Sequence, residues 1–468
     1  MTQLTILLSL TCIFLSAPVS AQDGQALYQT HCANCHGQNL EGGNAPSLID
    51  GVWLYGADRS NRTRNVRFGI AQQGMPAFDG ALTNRQIRAI DDYIMASAKT
   101  AGATRPPIPE KLETHDYDIA VERWVEGLEL PWSIFFLDQH TTLITERPGR
   151  LRIVKDGKLQ PEPVSGLPEV LHQGQGGLMD VALDPAFAEN GWIYLAYSHV
   201  LPSSDERPPA MTRLVRGHLK DNTWTDQQVI YEAPPETYRR TRHHYGCRIA
   251  FDPEGYLYFS IGDRGASQHA QDLSRPNGKI HRIFPDGRIP QDNPFINQQG
   301  ALPTIFSYGH RNPQGLATHP ETGAVWDSEH GPMGGDELNI LTPGTNYGWP
   351  EITYGRNYNG AIISEFERKP GMAQPTLFWR PSIAVCGIDF YRGTLFPKWQ
   401  NRLLVGALAF EEVRLIAVEK DRVMHEEIIL KNAGRVRDVE TGPDGAIYVV
   451  LNNPGTILRL TPIVEEGY

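Results

Sequence analysis

The 468-residue chain has room for two or three domains, and its 40% hydrophobic and 21% charged residues match a soluble globular protein. A formal net charge of −11, with no basic tract, argues against nucleic acid as a partner. Abundant glycine (45) and proline (35) favour a turn-rich, mainly β fold.

The chain opens "MTQLTILLSLTCIFLSAPVSAQDG". An apolar run over residues 4–15 leads to Val19-Ser20-Ala21, so residues 1–21 read as a secretory signal peptide. The alternative is an uncleaved anchor, but the run is short for a span. No later segment is apolar for long enough to cross a bilayer, which points to a periplasmic or secreted product without a transmembrane span.

"THCANCHGQNLEGG" follows, with Cys32, Cys35 and His36 in the C-x-x-C-H spacing that attaches a c-type haem. A short helix delivers the cysteines. A second, "LTNRQIRAIDDYIMASA", has Ile87, Ile90 and Ile94 at helical spacing and a capping-box pair in Thr83 and Gln86. Met75, in the loop "GIAQQGMPAFDGALT", is the candidate second axial ligand opposite His36; a core methionine is the alternative. A thioether opposite a histidine closes the iron to substrates and suits electron transfer. Residues 22–101 thus resemble a class I cytochrome c, an all-α domain. Residues 102–115, with Pro106, Pro107 and Pro109, read as a semi-rigid linker.

Of the five cysteines, Cys12 leaves with the signal, and Cys32 and Cys35 take the haem. Export permits a disulfide between Cys247 and Cys386, but two buried free thiols is the favoured reading.

Residues 116–468 repeat. Units begin at Leu130, Leu178, Cys247, Gln314, Cys386 and Val436, each a short apolar strand, usually a D-P or P-D-G turn, then an alternating strand. The interval of ~50–70 residues suits propeller blades, and six units predict an all-β six-bladed β-propeller rather than a sandwich of unrelated hairpins. A propeller brings the starts of its inner strands to one mouth. Histidine, glutamine, arginines and asparagine precede those starts, a cationic group suited to an anionic small molecule.

"GHRNPQGLA", "EHGP…DELN", "NYGWP" and "GRVRDV" resemble the soluble PQQ-dependent sugar dehydrogenases, the aldose (glucose) dehydrogenase family. The resemblance implies an aldose oxidised at C1 to its lactone, with pyrroloquinoline quinone (PQQ) as hydride acceptor and calcium beside it. Electrons would then pass to the fused haem c and on to an external cytochrome, quinone or oxidase. By the same resemblance, His244 is the general base, and Arg311 and Asn312 stand at the reacting carbonyl. Arg435 and Arg437 hold the cofactor carboxylates, Ser382 lies near the cofactor and Gln175 at the sugar. Gly331 and Pro332 offer carbonyls to the calcium at PQQ, and Glu337 and Tyr347 belong to a second calcium. A lysine frequent in the family is replaced in "LLVGALAFEEVRLI", where Ala409 and Phe410 stand. The segment around Glu351 to Phe378 is also altered, so the choice of sugar does not transfer. The competing readings are a non-enzymatic binding propeller and a calcium-dependent propeller lactonase; the latter would need carboxylates around a central metal, whereas this mouth is rich in arginine.

Overall fold

The computed structural model describes residues 21–464, so the expected signal peptide lies outside it save for Ala21. The chain separates into two compact units, Met1–Trp53 with Ala57–Pro106, and Pro107–Tyr468 with Leu54–Gly56.

The named α-helices of the first unit are Ala21–His31, Ala33–His36, Arg59–Phe68 and Asn84–Thr100. The last begins with a complete capping box between Thr83 and Gln86 and buries Ile87, Ile90 and Ile94 against Tyr28 and Leu40. It crosses the first helix so closely that a Cβ on Gly24 would lie 2.2 Å from the carbonyl oxygen of Ala89. The helix Arg59–Phe68 has no apolar stripe to announce it. It is held from outside: Asp58 caps it through the Asn61 N–H, and Arg62 forks onto the buried Asp91 at 2.6 and 3.1 Å.

The second unit is a ring of six antiparallel sheets. Blade I spans 131–159, blade II 178–232, blade III 249–308, blade IV 313–379 and blade V 385–431. Blade VI combines Arg435–Thr441, Ile447–Asn453 and Gly455–Pro462 with the incoming strands Asp118–Val125 and Lys111–Glu113. Ile119 pairs with Pro462 there, so the start of the unit closes the ring on its end. The expected linker is correspondingly shorter, because Lys111–Glu113 pairs with Asp118–Ala120 and Lys111 Nζ meets Asp118 at 2.6 Å.

The sequence repeat has a physical cause. In three blades the turn aspartate receives a tyrosine hydroxyl from the second strand: Tyr194 on Asp184 at 2.7 Å, Tyr258 on Asp252 at 3.1 Å and Tyr448 on Asp444 at 3.2 Å. The same aspartates cap their own turns, accepting the N–H of Ala186, Tyr256 and Ala446. Cys247 and Cys386 are both buried free thiols. Among the described residues, no helix is long and apolar enough to cross a membrane.

The inner strands meet around Arg248, which is 6% exposed and forms ion pairs with Asp180 of blade II at 3.0 Å and Asp438 of blade VI at 2.8 Å. Arg248→Met strands two buried carboxylates and is expected to destabilise the propeller by about 3–5 kcal/mol. Denaturant unfolding checks this, and adding Asp438→Asn should return part of the loss.

Candidate active site

The ends of the blades form two cavities at the mouth. One, of about 390 Å³, is lined by Arg147, Gln175, Asn312, His330, Arg435 and Arg437 among others, and by no carboxylate. Arg435 and Arg437 flank the buried Val436 on one strand, so both turn the same way. Arg437 donates to Gln314 Oε1 at 2.9 Å and to Cys386 Sγ at 3.3 Å, while its Nε is buried without a partner. Arg147 donates to the Gly176 carbonyl at 3.1 Å, and its Nε is likewise orphaned. Burial and the charge of Arg437 push the Arg147 guanidinium down to about 10. Three guanidiniums around a cavity lined by no carboxylate, two of them with an orphaned Nε, make a receptor for a polyanion, which fits a cofactor with several carboxylates. Arg147, from blade I, lines this cavity as a third cation, whereas Ala409 and Phe410 stand where a lysine is frequent in the family.

Asn312 Oδ1 accepts the Gly246 N–H at 3.2 Å and thereby ties blade IV to the strand entry of blade III. His330 Nε2 is also buried and unpartnered here; burial and Arg437 hold its ring well below the usual imidazole range. Ser382 is not among the residues that line this cavity. Its hydroxyl donates to Asp336 Oδ1 at 2.7 Å, and Ala384 supplies the nearby wall of the cavity.

The other cavity, of about 550 Å³, is lined by His244, Asp263, Arg311, Pro332 and Trp349 among others. His244 adopts a left-handed backbone (φ 56°), sparsely populated for a residue with a side chain. Gln175 Oε1 accepts its N–H at 2.7 Å. Its Nδ1 lies 2.7 Å from Asp263 Oδ1, which places the ring proton there and leaves Nε2 to accept another. Asp263 is fixed in turn by Trp349 Nε1 at 2.9 Å and the Gly265 N–H at 2.7 Å. Burial opposes its ionisation, but the His244 bond and the charge of Arg311 hold its carboxyl below the ordinary range. Burial and Arg311 bring His244 down to about 4, with Asp263 pulling the other way. The ring is therefore a neutral base across the physiological range.

Arg311 donates to the carbonyls of His330 at 2.9 Å and Gly331 at 2.8 Å, and its guanidinium lies 5.5 Å from the Trp349 ring centroid. The Gly331 carbonyl expected to meet calcium thus already faces a cation. The loop is pinned from behind by the Gly331 N–H on Asp336, whose carboxyl burial pushes up to about 6. Neutral oxygens are the donors a hard cation takes, so Gly331 fits calcium through the one lone pair that Arg311 leaves.

Glu337 and Tyr347 adjoin one buried cluster. Glu337 stands opposite Glu329, and Asp327 opposite Asn339, across neighbouring strands. The Tyr347 ring stacks on His310 at 4.7 Å and its hydroxyl donates to the Ile340 carbonyl. Burial and the proximity of Glu329 push the Asp327 and Glu337 carboxyls well up.

In the first unit, His36 Nδ1 lies 2.9 Å from the Pro46 carbonyl, which orients the ring and leaves Nε2 as the metal donor. Met75 is held by paired backbone bonds to Ile70 at 2.9 and 3.2 Å. Gly69 (φ 70°) passes so close to that loop that a Cβ would meet the Met75 carbonyl at 2.6 Å. Cys32, pushed up to about 11 by burial and Cys35, flanks the helix that ends at His36, with Cys35 exposed within it. This donor set fits a covalently attached haem.

Sequence reasoning missed Asp263, Arg147 and His330. Each follows the second strand of its blade, and in an antiparallel sheet that end lies beside the start of the first strand. The signal was therefore present in the repeat.

Comparison with known proteins agrees with this geometry. Residues 128–459 match the family model for glucose / sorbosone dehydrogenase, and residues 19–94 that for the cytochrome c oxidase, cbb3-type, subunit III. Aldose sugar dehydrogenase YliI of Escherichia coli (strain K12) is 42% identical over 351 residues, which cover 74% of this chain and 93% of that protein. The crystal structure of the apo form of the soluble E. coli aldose sugar dehydrogenase superposes with a TM-score of 0.70 at 41% identity, over 74% of this chain and all of that one. The PQQ-bound aldose sugar dehydrogenase of Streptomyces coelicolor gives 0.59 at 25% identity, covering 76% and 99%. The cbb3-type cytochrome c oxidase subunit CcoP of Rhodobacter capsulatus is 38% identical over 85 residues, 16% of this chain and 29% of that protein. The chain therefore belongs to the glucose / sorbosone dehydrogenase family, with a cytochrome c domain ahead of its propeller.

Proposed function

We propose that the chain is an exported, PQQ- and calcium-dependent aldose dehydrogenase that converts a sugar to its lactone and releases electrons through its own haem c to an external acceptor. The observation that carries this reading is the neutral His244 ring bonded to the Asp263 carboxylate, beside a carboxylate-free cavity with three guanidiniums.

PQQ would supply the hydride acceptor, calcium its polarisation and haem c a one-electron exit. His244 Nε2 takes the proton of the anomeric hydroxyl as the C1–H bond breaks, and Asp263 stabilises the imidazolium that forms. Gln175 contacts the sugar and holds the His244 backbone. Arg311 and Asn312 place positive charge and an amide beside the reacting centre. Arg435 and Arg437, joined by Arg147, bind the cofactor carboxylates, and Ser382 acts through Asp336 on the loop whose Gly331 and Pro332 carbonyls would hold calcium. A second cation belongs with the cluster that contains Glu337 and is covered by Tyr347. Cys32 and Cys35 would form the haem thioethers, with His36 and Met75 as axial ligands.

Reconstitution with PQQ and calcium, followed by a panel of aldoses, should reduce the haem within turnover, seen in its visible spectrum. No haem reduction by any sugar, with PQQ shown to be bound, overturns the reading. His244→Ala should abolish sugar-driven reduction while dithionite still reduces the haem.

Since the resting base titrates near 4, kcat/KM should stay level from pH 8 to about 5 and fall below that as Nε2 protonates. Asp263→Asn should lower turnover by about 10²-fold or more and move the acid limb to lower pH, because the carboxylate is what raises the ring.

Arg147→Gln should weaken PQQ binding by roughly 10-fold or more, the scale of one lost charge-assisted hydrogen bond. Quenching of tryptophan fluorescence during PQQ titration of the apoprotein reads this directly. An unchanged Kd would remove Arg147 from the cofactor site.

A further inference from the structure

We propose that Arg264 is the positioning residue of the His244–Asp263 pair: its guanidinium grips the chain on both sides of His244 and sets the imidazole against the carboxylate. The role rests on His244 being the base of the reaction.

Arg264 is 0% exposed, yet among the described residues no carboxylate forms an ion pair with it. A buried cation is costly unless its donors are used. Here they go to backbone carbonyls. Nη2 donates to Thr241 at 2.8 Å and to Ala210 at 3.3 Å, and Nη1 donates to His243. In return, the Thr241 hydroxyl donates to the Arg264 carbonyl at 2.6 Å. The guanidinium carbon lies 3.4 Å from the centroid of the Tyr245 ring. One side chain thus holds residues 241, 243 and 245, which flank His244.

The hold on His243 matters most. The peptide group that joins His243 to His244 is a rigid plane. Arg264 binds its oxygen, and Gln175 Oε1 accepts its N–H at 2.7 Å. With that plane fixed on one side of His244 and Tyr245 fixed on the other, the left-handed φ of 56° at His244 is imposed by its surroundings. Arg264 is itself left-handed, at 55°, and directly follows Asp263. Its backbone therefore carries the carboxylate while its side chain carries the histidine. Trp349 and the Gly265 N–H fix one end of the 2.7 Å bond between Asp263 and His244, and Arg264 fixes the other. Arg264 lines neither cavity, so it acts through the pair rather than by touching substrate or cofactor.

Two measurements on the full haem-containing chain test this. With nitrogen-15 histidine and the haem kept reduced, the ring-nitrogen shifts of His244, identified by their loss in His244→Ala, read its tautomer in the apoprotein. The wild type should hold the Nδ1–H form that Asp263 selects. Arg264→Lys keeps the buried cation but loses the fork that spans two carbonyls, so the Nε2–H form should appear. In the enzyme saturated with PQQ and calcium, the same variant should lower kcat by about tenfold or more and change KM by less than about threefold, because a misplaced base costs turnover rather than binding. In an Asp263→Asn background it should cost less than about threefold, since the carboxylate it serves is already gone. Arg264→Gln, which keeps an amide donor and drops the charge, should show the same losses. A wild-type tautomer in both variants, or equal losses of kcat in the two backgrounds, overturns the proposal. A wild type that oxidises no sugar, while its tautomer still depends on Arg264, removes the catalytic reading of His244 and leaves the positioning in place.

Discussion

One buried guanidinium touches every blade of the propeller. Arg248 belongs to blade III and pairs with Asp180 of blade II and Asp438 of blade VI. Its Nε donates to the Gln314 carbonyl of blade IV at 2.9 Å, and its plane lies 4.2 Å over Trp132 of blade I. Blade V participates by absence: a Cβ on Gly387 would lie 2.1 Å from Asp438 and 2.8 Å from the guanidinium. Burial pushes Asp438 up to about 6, with Arg248 opposing it, so the cation and its two carboxylates make sense only together. An ion so placed is weak evidence for stability but strong evidence for register, since only one arrangement of six inner strands satisfies it.

That register also sets the site. Arg248 donates to the carbonyls of Gln314 and Arg437, the two residues whose side chains meet above it at 2.9 Å. The strand that presents Arg435 and Arg437 to the cavity is therefore fixed by the same group that locks the ring. Asp180 adds the Ile249 N–H at 2.7 Å, which fixes the strand that follows His244. His244 and the arginines of the smaller cavity are placed relative to one another by Arg248, Asp180 and Asp438, which themselves line neither cavity.

Much of this was legible because it is local or periodic. The Thr83–Gln86 capping box and the D-P and P-D-G turns are encoded within about a dozen residues and appear as read, while the tyrosines that close those turns were not read. The helix Arg59–Phe68 was not legible, since its stability comes from Asp58 and Asp91 rather than from an apolar face. Asp263 and Arg147 were missed for a different reason. Attention to the starts of inner strands found His244, Arg311 and Arg435, but the antiparallel partner returns to the same mouth. The ends of second strands deserved equal weight. The partnership of Arg147 with Arg437 joins residues 290 apart in sequence and is a property of ring closure alone.

Blade IV shows how one short stretch serves two chemistries. His310 faces the carboxylates inside the blade, while the next residue, Arg311, faces the open cavity. Glu329 and His330 divide in the same way, the first toward the cluster and the second toward the three arginines. Negative charge is thus kept behind the wall and positive charge in front of it, one residue apart. This separation lets a chain of net charge −11 present one cavity lined by Arg147, Arg435 and Arg437 and by no carboxylate. It also explains why the base is neutral. His244 sits on the cationic side, where burial and Arg311 disfavour its protonation and only Asp263 argues for it. In the proposed reaction, the proton that His244 accepts would be held only while Asp263 remains ionised. The bonds from Trp349 and Gly265 that fix this carboxylate are therefore part of the acid–base machinery, although neither group handles the proton.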